Sequence, residues 1–147
     1  MSILGGVWME SRKLFSQMSL EEVYLMWDLV NDWGIRTNDI QFAKHSMDRV
    51  RQKHITKSEV LETVASGKCV EFHIKGDSPR VLLRKQRWNQ TYDICVVIDV
   101  LIGTIVTAYI NHSNDEHDTL HTEIYDEDLD IGLIMSELYY KKGRRCL

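Results

Sequence analysis

The chain has 147 residues, of which 44% are hydrophobic and 27% charged, and its formal net charge is −4. This balance is ordinary for one folded domain and excludes wholesale disorder. The charge is unevenly distributed, because residues 41–90 carry eleven basic and five acidic side chains whereas residues 91–147 carry four and eleven. A basic middle favours an anionic partner, and the alternative is that the acidic flanks neutralise it within the fold.

The cysteines and the apolar runs indicate the cellular compartment of the chain. Cys69, Cys95 and Cys146 are an odd set without metal-ligand spacing, which favours a reducing compartment. We therefore expect a cytoplasmic protein without a signal peptide. The apolar run 94–110 contains a charged residue and a glycine, so it predicts two strands and no membrane partner.

Two helices are predicted in the first third of the chain. Ser19 and Glu22 form a capping box that opens a helix over 20–33, and Gly34 ends it. One side of this helix, which we expect to pack in the core, carries Leu20, Val23, Tyr24, Trp27 and Val30 or Asn31. A second helix is predicted over 38–53.

The middle of the chain predicts a third helix and then a sheet. Thr56 and Glu59 form another capping box, and the helix that they open ends at Gly67. Close-spaced strand and turn signals then predict antiparallel strands over 69–75, 80–87, 92–98 and 104–111. Eight acidic residues follow between Asp115 and Asp130, and a last helix is predicted over 128–142.

These elements predict an α+β fold in a single domain, 1–147. We expect N-terminal helices packed on a four-stranded, mainly antiparallel sheet, with an extra C-terminal helix. The domain divides into a helical N-terminal extension (1–37), a core (38–112), and an acidic loop with the C-terminal helix (113–147).

The second predicted helix carries a ridge of His45, Arg49 and Lys53. Residues four apart stack on one face of a helix, so these side chains place a titratable imidazole beside two cations. Such a ridge suits a phosphate group. The competing interpretation is that it is only the solvated side of an amphipathic helix.

Residues from about 40 to 112 combine this ridge with a helix ending at Gly67 and a strand that reads Val106-Thr107-Ala108-Tyr109. The combination resembles the uncharacterised toxin-related branch of the barnase, EndoU, colicin and RelE-like ribonuclease superfamily. The resemblance implies a RelE/barnase-like core and cleavage of RNA without a metal ion. In this chain the third cation of the ridge is a lysine where arginine is commoner.

Metal-independent RNA cleavage needs a base, an acid and cations that stabilise charge on the phosphoryl oxygens. We expect His45 to move protons, Arg49 to hold phosphate and Tyr109 to act as acid or to position a base. Further RNA contacts are predicted from Lys53, Arg80, Arg84, Trp88, Thr107 and Asn111. The competing interpretation is that the strand residues serve packing and that the arginines deter aggregation.

A second cluster consists of His112, His117 and His121 among acidic residues. Histidines with carboxylates bind transition metals, but neither an HExxH motif nor a cysteine set accompanies them. A solvated loop is therefore the favoured interpretation, and we expect no metal and no cofactor.

The sequence thus predicts a metal-independent endoribonuclease or toxin-like effector acting on cellular RNA. The alternative is a non-catalytic phage or mobile-element protein that binds and inhibits a host protein, with the acidic stretch 115–130 mimicking nucleic acid. The partners that these hypotheses imply are RNA and a protein, either an antitoxin or a host target.

Overall fold

A computed structural model describes residues 3–4, 7–52, 54–87, 91–114 and 125–145, except for the side chains at 3–4, 7, 49–52 and 144–145. The helices and strands of these residues are, in chain order, β1 (Ile3–Leu4), β2 (Val7–Leu14), α1 (Leu20–Ile35), β3 (Gln41–Phe42), α2 (Lys44–Gln52), α3 (Lys57–Ser66), β4 (Lys68–Gly76), β5 (Ser78–Gln86), β6 (Tyr92–Asp99), β7 (Thr104–His112) and α4 (Ile131–Arg145). Among them, no helix is both long and apolar enough to cross a membrane.

The strands form one mixed sheet in the order β1-β2-β4-β5-β6-β7-β3. Neighbouring strands are antiparallel, except that β3 runs parallel to β7. The predicted α+β class is confirmed, and β4 to β7 lie where the four strands were predicted. The prediction of only four strands is wrong, because β1, β2 and β3 extend the sheet at its two edges. The N-terminal extension, predicted to be helical, begins with a pair of strands.

The sheet has one apolar face and one polar face. Because side chains alternate along a strand, Phe72 and Ile74 of β4 point into the core with Val96 of β6, and Val60 and Val64 of α3 pack there too. The alternate residues lie on the opposite side, which we call the polar face. Its members from β2, β4, β5, β6 and β7 include Glu10, Arg12, Glu71, His73, Arg80, Arg84, Asp93, Cys95, Thr107 and Tyr109.

Both predicted capping boxes are present. Ser19 Oγ accepts from the amide of Glu22 at 3.2 Å, and Thr56 Oγ1 accepts from the amide of Glu59 at 3.1 Å. α1 continues one residue past Gly34 to Ile35.

The predicted packing face of α1 is wrong in its main members. The helix buries Met26, Val30 and Trp33, whereas Tyr24 and Trp27 are about half exposed. The buried face is offset from the predicted one because α1 is apolar on two sides, so periodicity alone could not choose between them.

Glu22 joins three elements at one point. Lys13 of β2, itself buried, donates to Glu22 Oε1 at 2.7 Å and to the carbonyl of Leu129 at 2.8 Å. The amide of Ile131, at the start of α4, donates to Glu22 Oε2 at 3.1 Å. Burial raises the pKa of Glu22, but the hydrogen bonds from Lys13, Ser19 and Ile131 outweigh it and hold the pKa below its usual value.

Replacing Glu22 with glutamine should lower the free energy of unfolding by about 3 kcal/mol, because Lys13 is left as a buried charge without its carboxylate. Since the pKa of Glu22 is lower in the folded chain, its contribution is complete above the unfolded pKa of about 4.3 and is lost as the pH falls through the folded pKa. Urea unfolding of both proteins from pH 7 to pH 3 measures this. The matched Glu21→Gln variant alters an exposed neighbour and should change little; equal effects of the two substitutions would contradict the account.

Candidate functional site

At the β2 end of the polar face, His73 lies between two arginines. In the register of the sheet, His73 of β4 is opposite Arg12 of β2 on one side and opposite Arg80 of β5 on the other. Cross-strand partners on one face have neighbouring side chains. We call Glu10, Arg12, His73 and Arg80 the histidine site.

Glu10 orients the imidazole of this site. His73 Nε2 lies 2.9 Å from Glu10 Oε1, and a carboxylate can only accept. His73 therefore donates through Nε2 and, when it is neutral, keeps its lone pair on Nδ1. Burial and the charge of Arg12 hold the pKa of His73 below its usual value, although Glu10 opposes them. The imidazole is consequently neutral at pH 7 and can accept a proton.

A buried carboxylate lies two residues before His73 on the same face. Glu71 is 1% exposed. Its Oε2 accepts from Arg12 Nη1 at 2.8 Å, and its Oε1 accepts from the hydroxyl of Tyr125 at 2.9 Å. The ion pair fixes the guanidinium of Arg12 beside His73, while Arg12 Nε is buried and has no hydrogen-bond partner within the described residues.

The β7 end of the polar face carries Tyr109. In the register of the sheet, Tyr109 is opposite Cys95 of β6, and Cys95 is in turn opposite Arg84 of β5. Arg84 Nε donates to Asp93 Oδ2 at 2.6 Å. Burial, with the nearby Cys95 and Glu71, raises the pKa of Tyr109, so its phenol stays protonated at neutral pH. Thr107 Oγ1 on the same face is buried and has no partner within the described part of the chain.

The sequence-predicted residues fall into three groups. Five of them lie on the polar face: Arg80, Arg84, Thr107, Tyr109 and Asn111. His45 is exposed on α2, a helix that packs against β7. The remaining predictions lie outside what the structure describes: the side chain of Arg49, and residues Lys53 and Trp88.

The structure describes only part of the histidine cluster of His112, His117 and His121. His112 ends β7, whereas His117 and His121 lie outside the described residues. Among the residues that the structure does describe, no group of three or more His, Cys, Asp or Glu is arranged to hold a metal ion.

Sequence reasoning missed Glu10, Arg12, Glu71, His73 and Tyr125. One signal was available, since Glu71 and His73 alternate with Phe72 and Ile74 in a strand that was itself predicted. The other partners come from β2, which was not predicted, and from residue 125, far along the chain.

Comparison of this chain with protein-family models, with curated proteins and with solved structures gives no match. The function of the chain therefore has to be inferred from the chemistry of its polar face.

The neighbours of His73 should shift its pKa in opposite directions. Replacing Arg12 with methionine removes a cation and should raise the pKa of His73, whereas Glu10→Gln removes an anion and should lower it further. NMR titration of the imidazole resonances, assigned with His73→Gln, measures both shifts. Shifts of the same sign in the two variants would contradict the geometry.

Proposed function

We propose that this chain is a metal-independent endoribonuclease or toxin-like effector acting on cellular RNA, with the histidine site as its centre. The observation that carries the proposal is the position of His73, held by Glu10 and placed between Arg12 and Arg80. A neutral imidazole can take the proton of a 2′-hydroxyl, and the guanidinium groups beside it can bind a phosphate.

The reaction assigns one task to each group. Nδ1 of His73 takes the proton of the 2′-hydroxyl, whose oxygen attacks the adjacent phosphorus to form a 2′,3′-cyclic phosphate. The bond from phosphorus to the 5′-oxygen breaks, the leaving oxygen takes a proton from water, and His73 returns its own proton to solvent. Arg12 and Arg80 stabilise the negative charge that builds on the phosphoryl oxygens. Tyr109 stays protonated because its pKa is raised, but it lies on β7, three strands across the sheet from His73. The proton-donor role predicted for it stays a prediction that the reaction at His73 does not use. The catalytic roles predicted for His45 and Arg49 on α2 are tested separately below.

The free-energy cost of burying polar groups on this face supports a functional interpretation. Glu71 is 1% exposed and is paired with Arg12, and burying charged groups is expensive even when they are paired. Apolar residues of similar size often give equal or greater stability at such positions. Perturbed titratable groups gathered on one surface are typical of functional sites.

The proposal is tested with purified protein and end-labelled structured RNAs in excess EDTA. Discrete fragments are expected from the wild type. His45→Ala and Arg49→Ala ask whether α2 takes part in catalysis: a loss of cleavage would place these residues in the mechanism, and unchanged cleavage would leave the histidine site alone responsible. Absence of fragments across several RNAs would contradict the proposed function.

The second candidate is the non-catalytic interaction protein that inhibits a host protein. It is favoured by a cavity of about 470 Å³ whose lining includes Glu21, Glu127, Asp128 and Asp130. A concentration of carboxylates suits a basic protein surface. Reversing the exposed charges with Glu127→Lys and Asp128→Lys should abolish capture of such a partner and leave RNA cleavage unchanged. Capture that is insensitive to both changes would count against this candidate.

A further inference from the structure

α1 carries a second apolar stripe that faces solvent. The exposed fractions of its apolar side chains are 68% for Leu20, 55% for Tyr24, 48% for Trp27 and 83% for Ile35. The exposed Asn31 lies in the same row. Steps of three or four residues align these positions along one side of the helix for its full length. Spacing of this kind is typical of a helix seam that packs against another helix.

The stripe is separate from the face that holds α1 in the core. The buried residues Met26, Val30 and Trp33 lie about 120° away from it around the helix axis. Trp27 contacts Tyr24 edge-on, with ring centroids 5.7 Å apart, and lies 6.4 Å from the ring of Phe15. This aromatic cluster borders a cavity of about 350 Å³ whose lining also includes Ala65, Gly67 and Lys68. A recess beside exposed aromatic rings can receive a partner's apolar side chain.

The charged residues of α1 itself are all acidic. α1 contains four acidic residues and neither lysine nor arginine. Glu21, Asp28 and Asp32 are exposed and flank the stripe on the side away from α3, and Asp32 is paired with Arg36, the residue that follows α1. On the other side, Gly34 allows α3 to approach closely near Ala65, and Lys68 lines the neighbouring cavity. A partner therefore meets apolar surface bordered by carboxylates.

We propose that this stripe docks an amphipathic helix of another protein, with apolar residues at alternating three- and four-residue steps and lysine or arginine beside them. A second copy of this chain fits poorly. In an antiparallel pair of α1 helices the acidic flanks would face each other, and like charges in that position repel. This interaction surface goes beyond the proposed ribonuclease activity and does not depend on it.

Two synthetic helical peptides of about 20 residues test the proposal. Both carry the same leucine stripe, one flanked by lysines and the other by glutamates. Isothermal titration calorimetry with the full chain should show the lysine peptide binding at least about tenfold tighter. Tyr24→Ser with Trp27→Ser should abolish binding, and Glu21→Lys with Asp28→Lys should reverse the preference between the peptides.

Ile102→Ser, which changes an exposed apolar residue in the β6–β7 turn, is the matched control and should bind the lysine peptide normally. Circular dichroism confirms that each variant is folded, as expected for substitutions of exposed side chains. Equal affinity for the two peptides, no binding of either, or loss of binding in Ile102→Ser would overturn the proposal. So would self-association of the wild type, seen by sedimentation equilibrium and lost in the Tyr24→Ser and Trp27→Ser variant.

Discussion

Replacing His73 with glutamine should lower kcat/KM for RNA cleavage by about 10² to 10⁴-fold, the usual contribution of a general acid or base. The amide of glutamine can still donate to Glu10, as the imidazole does at 2.9 Å, but it cannot take a proton. Because the pKa of His73 is lowered, wild-type activity should fall only below about pH 6.5. Steady-state rates from pH 5 to pH 8 measure both effects.

Arg12→Met is the companion variant, because it removes a phosphate-binding cation and raises the pKa of His73. In the pH–rate profile of this variant, the fall in activity on the acid side should lie at higher pH than in the wild type. Loss of a merely structural residue would not produce that shift. Retention of full activity in His73→Gln would remove the imidazole from the mechanism.

Replacing Gly103 with alanine should lower the free energy of unfolding by about 3 to 5 kcal/mol. Gly103 has φ +73°, and an added Cβ would lie within 2.8 Å of three ring carbons of Trp33. That ring is buried and fixed, because Trp33 Nε1 donates to the carbonyl of Val100 at 2.8 Å. The clash therefore falls on a side chain that cannot move aside cheaply. Chemical denaturation measures the loss.

Gly76→Ala separates the two contributions to that loss. Gly76 also has a positive φ, of +61°, but nothing lies within 4 Å of the position of an added Cβ. Gly76→Ala should therefore lower the free energy of unfolding only by the backbone strain, about 1 to 2 kcal/mol. Equal losses in the two variants would show that the contact with Trp33 is unimportant.

The central strands could be predicted because local signals agree there. β6 and β7 are rich in β-branched residues, and turn signals separate all the strands from β4 to β7, so local signals point to one structure. β2 lacks that agreement: its sequence Val-Trp-Met-Glu-Ser-Arg-Lys-Leu mixes charged and apolar residues, and its Lys13 is buried only because Glu22 and Leu129 receive it. Tertiary contacts, not propensity, make that segment a strand.

Local sequence patterns could likewise place some residues of the candidate site but not others. Tyr109, Thr107 and Arg84 could be placed on one face because each lies in a predicted strand with period-two alternation. The contact between Arg12 and Glu71 joins residues 59 positions apart, and no local pattern records such a pairing. Without β2, Glu10 and Arg12 of the histidine site had no place in the sequence-based prediction.

The most direct test of the histidine site is the chemistry of the cut ends. A defined oligoribonucleotide is incubated with the wild type in excess EDTA, and the products are identified by mass spectrometry, beside a copy with a single 2′-deoxyribose at the cleaved position. The account predicts 2′,3′-cyclic phosphate ends and resistance of the deoxy substrate, because the 2′-hydroxyl is the nucleophile that His73 activates. Products ending in 3′-hydroxyl and 5′-phosphate, or cleavage that begins only when a metal ion is added, would contradict it.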